Sequence, residues 1–379
     1  MGAPPNILTP GAQPASGHSA PSSGGAQQQQ QGSGSSGSSS ASDDSSKSLH
    51  QKGRGKIPWS KEVWDRIDQA VEMEVKRTRV GARFLPKRPV PPKTTSVPTD
   101  AYTTITPDGG TPVLTVDEGA TLRLNEYYVE FELTPQQVDQ EEGDFKSLGH
   151  STAVTLATKA ANTLAQAEDL VIFQGSNALS AVAGVGSSLF TGNLVLMLNP
   201  TGLTDTGLLA FPAGTAAPAG GATNIVPVAE LGGPPGVVWG PNTFEAVAQG
   251  YAQLQGAGHY GPYALVLETI PYADTFAPLP ATLTLTADRI KPLMTAGFFG
   301  TGTIPPNPPP APARPPVGKP PFFGVMVSLG GNSMDLVFGL EPLAAFMQED
   351  TNGNFRFRVL ERFALRLKDP TAVVILQFN

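Results

Sequence analysis

The chain has 379 residues, 40% of them hydrophobic, enough to close one large core or two ordinary ones. Only 15% are charged, against roughly 25% in an average soluble protein, while 42 glycines and 38 prolines point to loops and to surface buried against neighbours. Cysteine is absent, which excludes disulfides, thiolate nucleophiles and cysteine-based zinc sites.

No apolar run approaches the ~20 residues of a membrane span, and the N-terminus lacks a charged region followed by an apolar one. Neither an anchor nor a signal peptide is read, and a cytoplasmic location is expected. The formal net charge of −7 is unevenly spread: residues 52–93 carry +7, residues 94–379 carry −13 and residues 1–51 carry −1. A basic belt ahead of an acidic body should draw neighbouring copies together.

In chain order, residues 1–56 are a Gly/Ser/Gln-rich extension with almost nothing to bury, so disorder is expected. Residues 60–80 predict a helix: Pro58 and Ser60 start it, and Val63, Trp64, Ile67, Val71 and Val75 recur at helical spacing. Basic residues at 76, 77, 79 and 83 crowd its end, where the dipole favours cations. Pro86, Pro89, Pro91 and Pro92 forbid continuation. Residues 94–133 read as a long hairpin around Asp108-Gly109-Gly110 followed by a strand over Glu126 to Leu133. A long Ala/Leu-rich helix is predicted over 144–173.

Residues 186–238 read as an elaborated loop or small β insertion. A helix is predicted over 242–256, with Phe244, Val247, Tyr251 and Leu254 on one side. A strand over Ala264 to Leu267, a helix over 288–296 and a proline-dominated exposed loop over 300–321 follow. The tail is β: Gly324 to Leu329, Met334 to Phe338, a hairpin at Asn352-Gly353, Phe355 to Leu367, and Ala372 to Phe378. The class is α+β, without βαβ alternation or repeats.

The chemistry-bearing residues do not assemble into a catalytic pattern. The four histidines, His18, His50, His150 and His259, have no metal-ligand spacing, and His150 is read as a surface or capping residue. Gly184-Val185-Gly186 starts like a dinucleotide fingerprint, but Leu189 stands at the third glycine. Glu349 to Gly353 is read as a turn rather than a calcium loop. Glu141-Glu142-Gly143-Asp144 is read as an acidic helix start that complements the dipole. The basic segment 76–93 has one interleaved aromatic, Phe84, and is read as a solvated or interface-facing belt rather than a nucleic-acid site. No catalytic, cofactor or metal residues are assigned.

Four segments together resemble the encapsulin family, also called linocin- or bacteriocin-like. These are Trp59 to Asp68 with Gly81-Ala82-Arg83-Phe84; Ala167 to Gly175; Gly261 to Leu267; and Phe355 to Phe378 with its Asp369-Pro370 joint. The resemblance covers residues 57–379 apart from insertions. It implies the fold of tailed-phage major capsid proteins, the Hong Kong 97 type. The corresponding parts are an N-terminal helix region over 57–87, an extended loop over 88–124 that reaches over a neighbour, and a peripheral domain over 125–241. The peripheral domain would hold a spine helix near 144–170 and an insertion near 186–238. An axial domain over 242–330 would follow, then C-terminal peripheral strands over 331–379.

The implied function is a structural shell subunit, not an enzyme, whose copies form an icosahedral compartment around a cargo enzyme of oxidative-stress or iron chemistry. Ferritin-like proteins and dye-decolorising peroxidases are the implied cargo classes. A C-terminal targeting peptide of the cargo would dock on the inner wall, which by position suggests Arg83, Phe84, Leu85, Leu336 and Phe338. No nucleic acid or membrane partner is implied. Some relatives hold flavin against a tryptophan before the strand near 124–133; Glu118-Gly119 stand here, so no cofactor is expected. The competing reading is a major capsid protein of a tailed phage or prophage. The absence of helical heptads in residues 1–50, where a scaffolding segment would lie, favours the compartment.

Overall fold

The first helix, α1 (Lys61–Thr78), buries the stripe expected of it: Val63, Trp64, Ile67, Val71 and Val75. It ends two residues early, and a separate short helix, α2 (Gly81–Phe84), follows Arg79 and Val80. The computed structural model describes residues 53–105, 110–148, 151–179, 187–198, 207–209, 224–231, 238–278, 284–304 and 322–379. The extension up to residue 52, His18, His50, His150 and most of the expected proline loop therefore lie outside the described residues, as does much of 186–238.

Next come β1 (Lys87–Pro89), β2 (Ser96–Pro98), β3 (Ala101–Ile105), β4 (Val113–Asp117), β5 (Thr121–Arg123) and β6 (Asn125–Leu133). β2 pairs with β5 and β3 with β4, both antiparallel, so residues 96–105 and 113–123 lie side by side as a two-stranded arm. The arm's root is fixed by charge. The Arg366 guanidinium forks onto Asp335 (2.9 and 2.7 Å) and also bonds Asp100. Lys368 lies 2.8 Å from the same Asp335. The Tyr102 hydroxyl donates toward the Gly331 and Asn332 carbonyls.

The next helix differs from the expectation. Instead of one helix over 144–173 there are two, α3 (Pro135–Leu148) and α4 (Thr152–Gln174). α3 opens on a capping box, in which the Thr134 N–H donates to the Gln137 side chain and the Gln137 N–H to the Thr134 hydroxyl. The acidic run at 141–144 thus lies inside α3 rather than at a helix start. Glu141 is buried and caps the following helix instead, accepting from the Ser151 hydroxyl and the Ala153 N–H. α4 presents Ala153, Ala157, Ala160, Ala161 and Ala165, small residues that admit close approach of α1.

The chain continues through α5 (Ser188–Thr191), β7 (Leu196–Leu198), β8 (Ile225–Val228), α6 (Pro241–Gly256), β9 (Tyr263–Glu268), α7 (Thr269–Asp274), α8 (Thr286–Ile290) and β10 (Gly297–Thr301). The helix expected over 288–296 is thus only the end of α8. Lys291 still has helical backbone, but Pro292 has no N–H to continue the ladder, and the chain turns into β10. The last strands are β11 (Phe322–Ser328), β12 (Met334–Glu349), β13 (Phe355–Leu367) and β14 (Val373–Phe378). β12 runs well past Phe338, carried through Gly339 by register shifts.

Two five-stranded sheets organise these strands, in the orders β1-β12-β13-β6-β7 and β10-β9-β11-β14-β8. β14 crosses at Asp369-Pro370 into the second, pairing antiparallel with β11 and parallel with β8. The main core joins α1 and α4 to both sheets, and a second one packs α6 and Trp239 on the other face of the second sheet.

An aromatic stack anchors α1 to the first sheet. The Phe357 ring lies 5.2 Å from Trp59 and 5.3 Å from Phe131, both nearly parallel, with Trp64 and Phe346 at its sides. Removing a buried Phe costs about 3–5 kcal/mol through lost burial and the cavity left behind. Phe357→Ala is expected to lower the thermal unfolding midpoint markedly, whereas Phe276→Ala at a partly exposed site should leave it nearly unchanged.

Candidate functional site

The end of α1 is held by a carboxylate from α4. The N–H groups of Val80 and Gly81 donate to Asp169 at 2.8 and 2.7 Å. A Cβ on Gly81 would stand 2.7 Å from Ile172, so only glycine fits there without displacing the α4 side chain. The Arg83 guanidinium reaches back to the Arg77 carbonyl at 2.8 Å and closes the last turn of α1. Two segments that carried the family resemblance, around Gly81 and around Asp169, are therefore directly bonded.

Beneath this junction lies a buried charged layer. Glu168 from α4 and Glu361 from β13 are fully buried. None of their four carboxyl oxygens has a hydrogen-bond partner among the described residues. The Arg79 guanidinium lies 3.8 Å from Glu168 and 3.7 Å from Glu341, and Lys87 lies 3.8 Å from Glu341. Burial pushes the Glu168 carboxyl up to about 8, with Arg79 pulling the other way. Burial, then the charge of Glu168, pushes Glu361 well above its ordinary range. Burial lifts Asp169 to about 7 against the N–H bonds from Gly81 and Val80.

Above the layer opens a cleft of about 390 Å³ between α1 and β12. Asp68, Glu72, Val75 and Lys76 form its helical wall, and Glu341, Pro342 and Leu343 the strand wall, with Arg79 and Lys87 between them. The cleft thus sets the partly exposed Pro342 among charges of both signs, over the buried side chains of Val75 and Leu343. Such a surface can grip an extended apolar segment bearing a few charged groups. Among the described residues no cluster of His, Asp and Glu is arranged to hold a metal, and no helix is long and apolar enough to cross a membrane.

The residues named from sequence lie around the cleft in different settings. Arg83 is exposed, while Phe84, Leu85, Leu336 and Phe338 are buried in the main core. Phe84 stacks on Phe299 at 5.8 Å, and Phe338 lies under the Lys87 ammonium at 5.2 Å. The reason is the position of β12, which has β1 on one side and β13 on the other. Leu336 and Phe338 point into the main core, while Val337 packs with Leu122 and Leu124 on the opposite face. The cleft residues Asp68, Glu72, Lys87 and Glu341 carry no signal in the sequence, because solvent-facing charges on a helix or strand look alike wherever they lie. The remaining basic residues of 76–93 include Lys76 and Arg77, which pair with Glu72 and Glu74 on the outer face of α1. His259, read as a loop residue, lies against Thr371 at 2.7 Å.

Residues 50–193 and 238–307 match the protein family described as "Encapsulating protein for peroxidase". The type 1 encapsulin shell protein EncA of Myxococcus xanthus (strain DK1622) is 25% identical over 334 residues, which cover 86% of this chain and 96% of that protein. Among solved structures, the virus-like particle from Pyrococcus furiosus matches at a TM-score of 0.50 and 14% identity, covering 83% of this chain and 98% of that one. The capsid of Myoviridae phage XM1 matches at a TM-score of 0.46 and 12% identity, covering 76% of this chain and 87% of that one.

Because the Asp169 carboxylate satisfies two buried N–H groups, its loss leaves both unpaired, at about 1–3 kcal/mol each. Asp169→Ala is expected to speed amide exchange at Val80 and Gly81 at least tenfold while leaving β14 amides unchanged. Equal acceleration at both places would show that the contact is not local.

Proposed function

Because the chain belongs to the family of encapsulating proteins for peroxidase, we propose that its shell receives a cargo enzyme of oxidative-stress or iron chemistry through the cleft between α1 and β12. The fold is that of encapsulins and tailed-phage capsid proteins, and the chain is a shell subunit whose copies assemble into an icosahedral compartment. The part it plays is structural, with catalysis left to the cargo, and a cytoplasmic compartment fits this reading.

The observation that carries the docking assignment is the cleft itself. It is open, it lies at the end of the N-terminal helix, and it offers the partly exposed Pro342 between opposed charges, with Val75 and Leu343 buried beneath it. A C-terminal targeting peptide of the cargo would lay an apolar side chain on Pro342 and set its charged groups against Lys87 or Glu341. Arg83 stands exposed beyond the end of α1. Phe84, Leu85, Leu336 and Phe338 support the walls from within rather than touching the peptide. Each such contact is weak, but many identical sites face one enclosed volume, so retention is multivalent.

Particles from the native host should therefore lose cargo on reversal of one cleft charge. Lys87→Glu is expected to leave particle size unchanged and to cut co-purifying cargo by about tenfold, from roughly 1.4 kcal/mol lost per site. Phe84→Ala, which strikes the core, should weaken folding and loading together. Undiminished cargo in the cleft variant would place docking elsewhere on the wall.

A further inference from the structure

The layer under the cleft contains charge that the fold does not neutralise. Five elements bring ionisable groups to it. Arg79 follows α1, Glu168 and Asp169 come from α4, Glu361 from β13, Glu341 from β12 and Lys87 from β1, with Arg83 of α2 facing Asp169. Asp169 is satisfied by backbone N–H groups. Glu168 and Glu361 are not: both are fully buried, and their oxygens have no hydrogen-bond partner among the described residues. The cation nearest to them is Arg79, itself 7% exposed, with one guanidinium nitrogen also lacking a hydrogen bond. It is shared with Glu341, which reaches out to the mouth of the cleft. One guanidinium cannot offset two buried carboxylates, so the closed arrangement requires that the pair retain a proton.

We propose that Arg79, Glu168 and Glu361 form a protonation switch that clamps the end of α1, and with it the helical wall of the cleft, while the carboxyl pair is protonated and loosens it when the proton leaves. The part that moves is identified by position. Arg79 and the bonds to Asp169 tie the end of α1 to α4, and Val75 and Lys76, one turn earlier, line the cleft. The inference rests on the geometry of the cluster and not on what occupies the cleft.

The direction follows from linkage. Opened to solvent, Glu168 ionises near its ordinary 4.5, and closed it ionises near about 8. The closed state therefore holds more protons across that window. Its advantage over the open state is full below the ordinary carboxyl range, falls as pH rises toward about 8, and is level above it. Acid tightens the clamp, and mild alkali slackens it.

Amide hydrogen exchange on assembled shells tests this, because the exchange rate divided by the intrinsic rate at each pH gives the opening constant directly. For amides of residues 76–85 the opening constant is expected to rise by at least about tenfold from about pH 5 to about pH 7, since each released proton contributes about tenfold per pH unit. Amides of β14 serve as the internal control and should show no such rise. In Glu168→Gln/Glu361→Gln shells the rise should be smaller, with only Asp169 left to drive it. A rise under tenfold in the natural shell would overturn the proposal, as would an unchanged rise in the double variant. Should that variant fail to assemble, the profile of the natural shell decides alone.

Discussion

A two-stranded ribbon is marginal in water by itself, and the arm formed by β3 and β4 is such a ribbon. Ile105, Val113, Leu114 and Val116 stand exposed along it, Leu114 by 71%. The outer edges of β3 and β4 have no strand partner among the described residues. An apolar ribbon with open edges is a template for pairing with another chain. We propose that in the shell a neighbouring copy supplies what is missing; the low charge content of the chain fits a surface largely covered in this way. A repeated contact between unlike surfaces closes into a container only if each copy presents its arm at a fixed angle.

Two buried charge clusters fix the parts that such a contact uses, and they differ in kind. At the arm's root, Asp335 is met by Arg366 and Lys368, and Arg366 also reaches Asp100. Its charges are matched and its hydrogen bonds made, as a rigid bracket requires. At the end of α1, Glu168 and Glu361 outnumber the single Arg79 within reach and lack hydrogen bonds. That cluster is adjustable, because its balance depends on a proton. The shell subunit thus holds the arm firmly and the cleft wall conditionally.

Much of this organisation was legible in the residues. The α1 stripe, the hairpin turn at Asn352-Gly353 and the strands β9, β11 and β13 follow from periodicity and turn chemistry. α3 was missed although Thr134-Pro135-Gln136-Gln137 is a capping box with proline at the first helical position; the weakly amphipathic run behind it hid the signal. The full length of β12 was hidden by Gly339, which reads as an end but sits where a side chain would crowd Leu124. The crossing of β14 into the second sheet depends on which sheet receives it, a tertiary choice that local pattern does not encode. The cleft was beyond reach for the same reason: Val75 and Lys87 are far in sequence from Glu341 to Leu343 and meet them only because α1 lies along β12.

The mass of the purified chain in dilute solution at physiological salt is the most direct test of a subunit completed by its own copies. Light scattering combined with negative-stain microscopy should give closed, uniform particles in the megadalton range. A well-folded population of single chains, with residues 96–123 protected from amide exchange without any neighbour, would contradict the account.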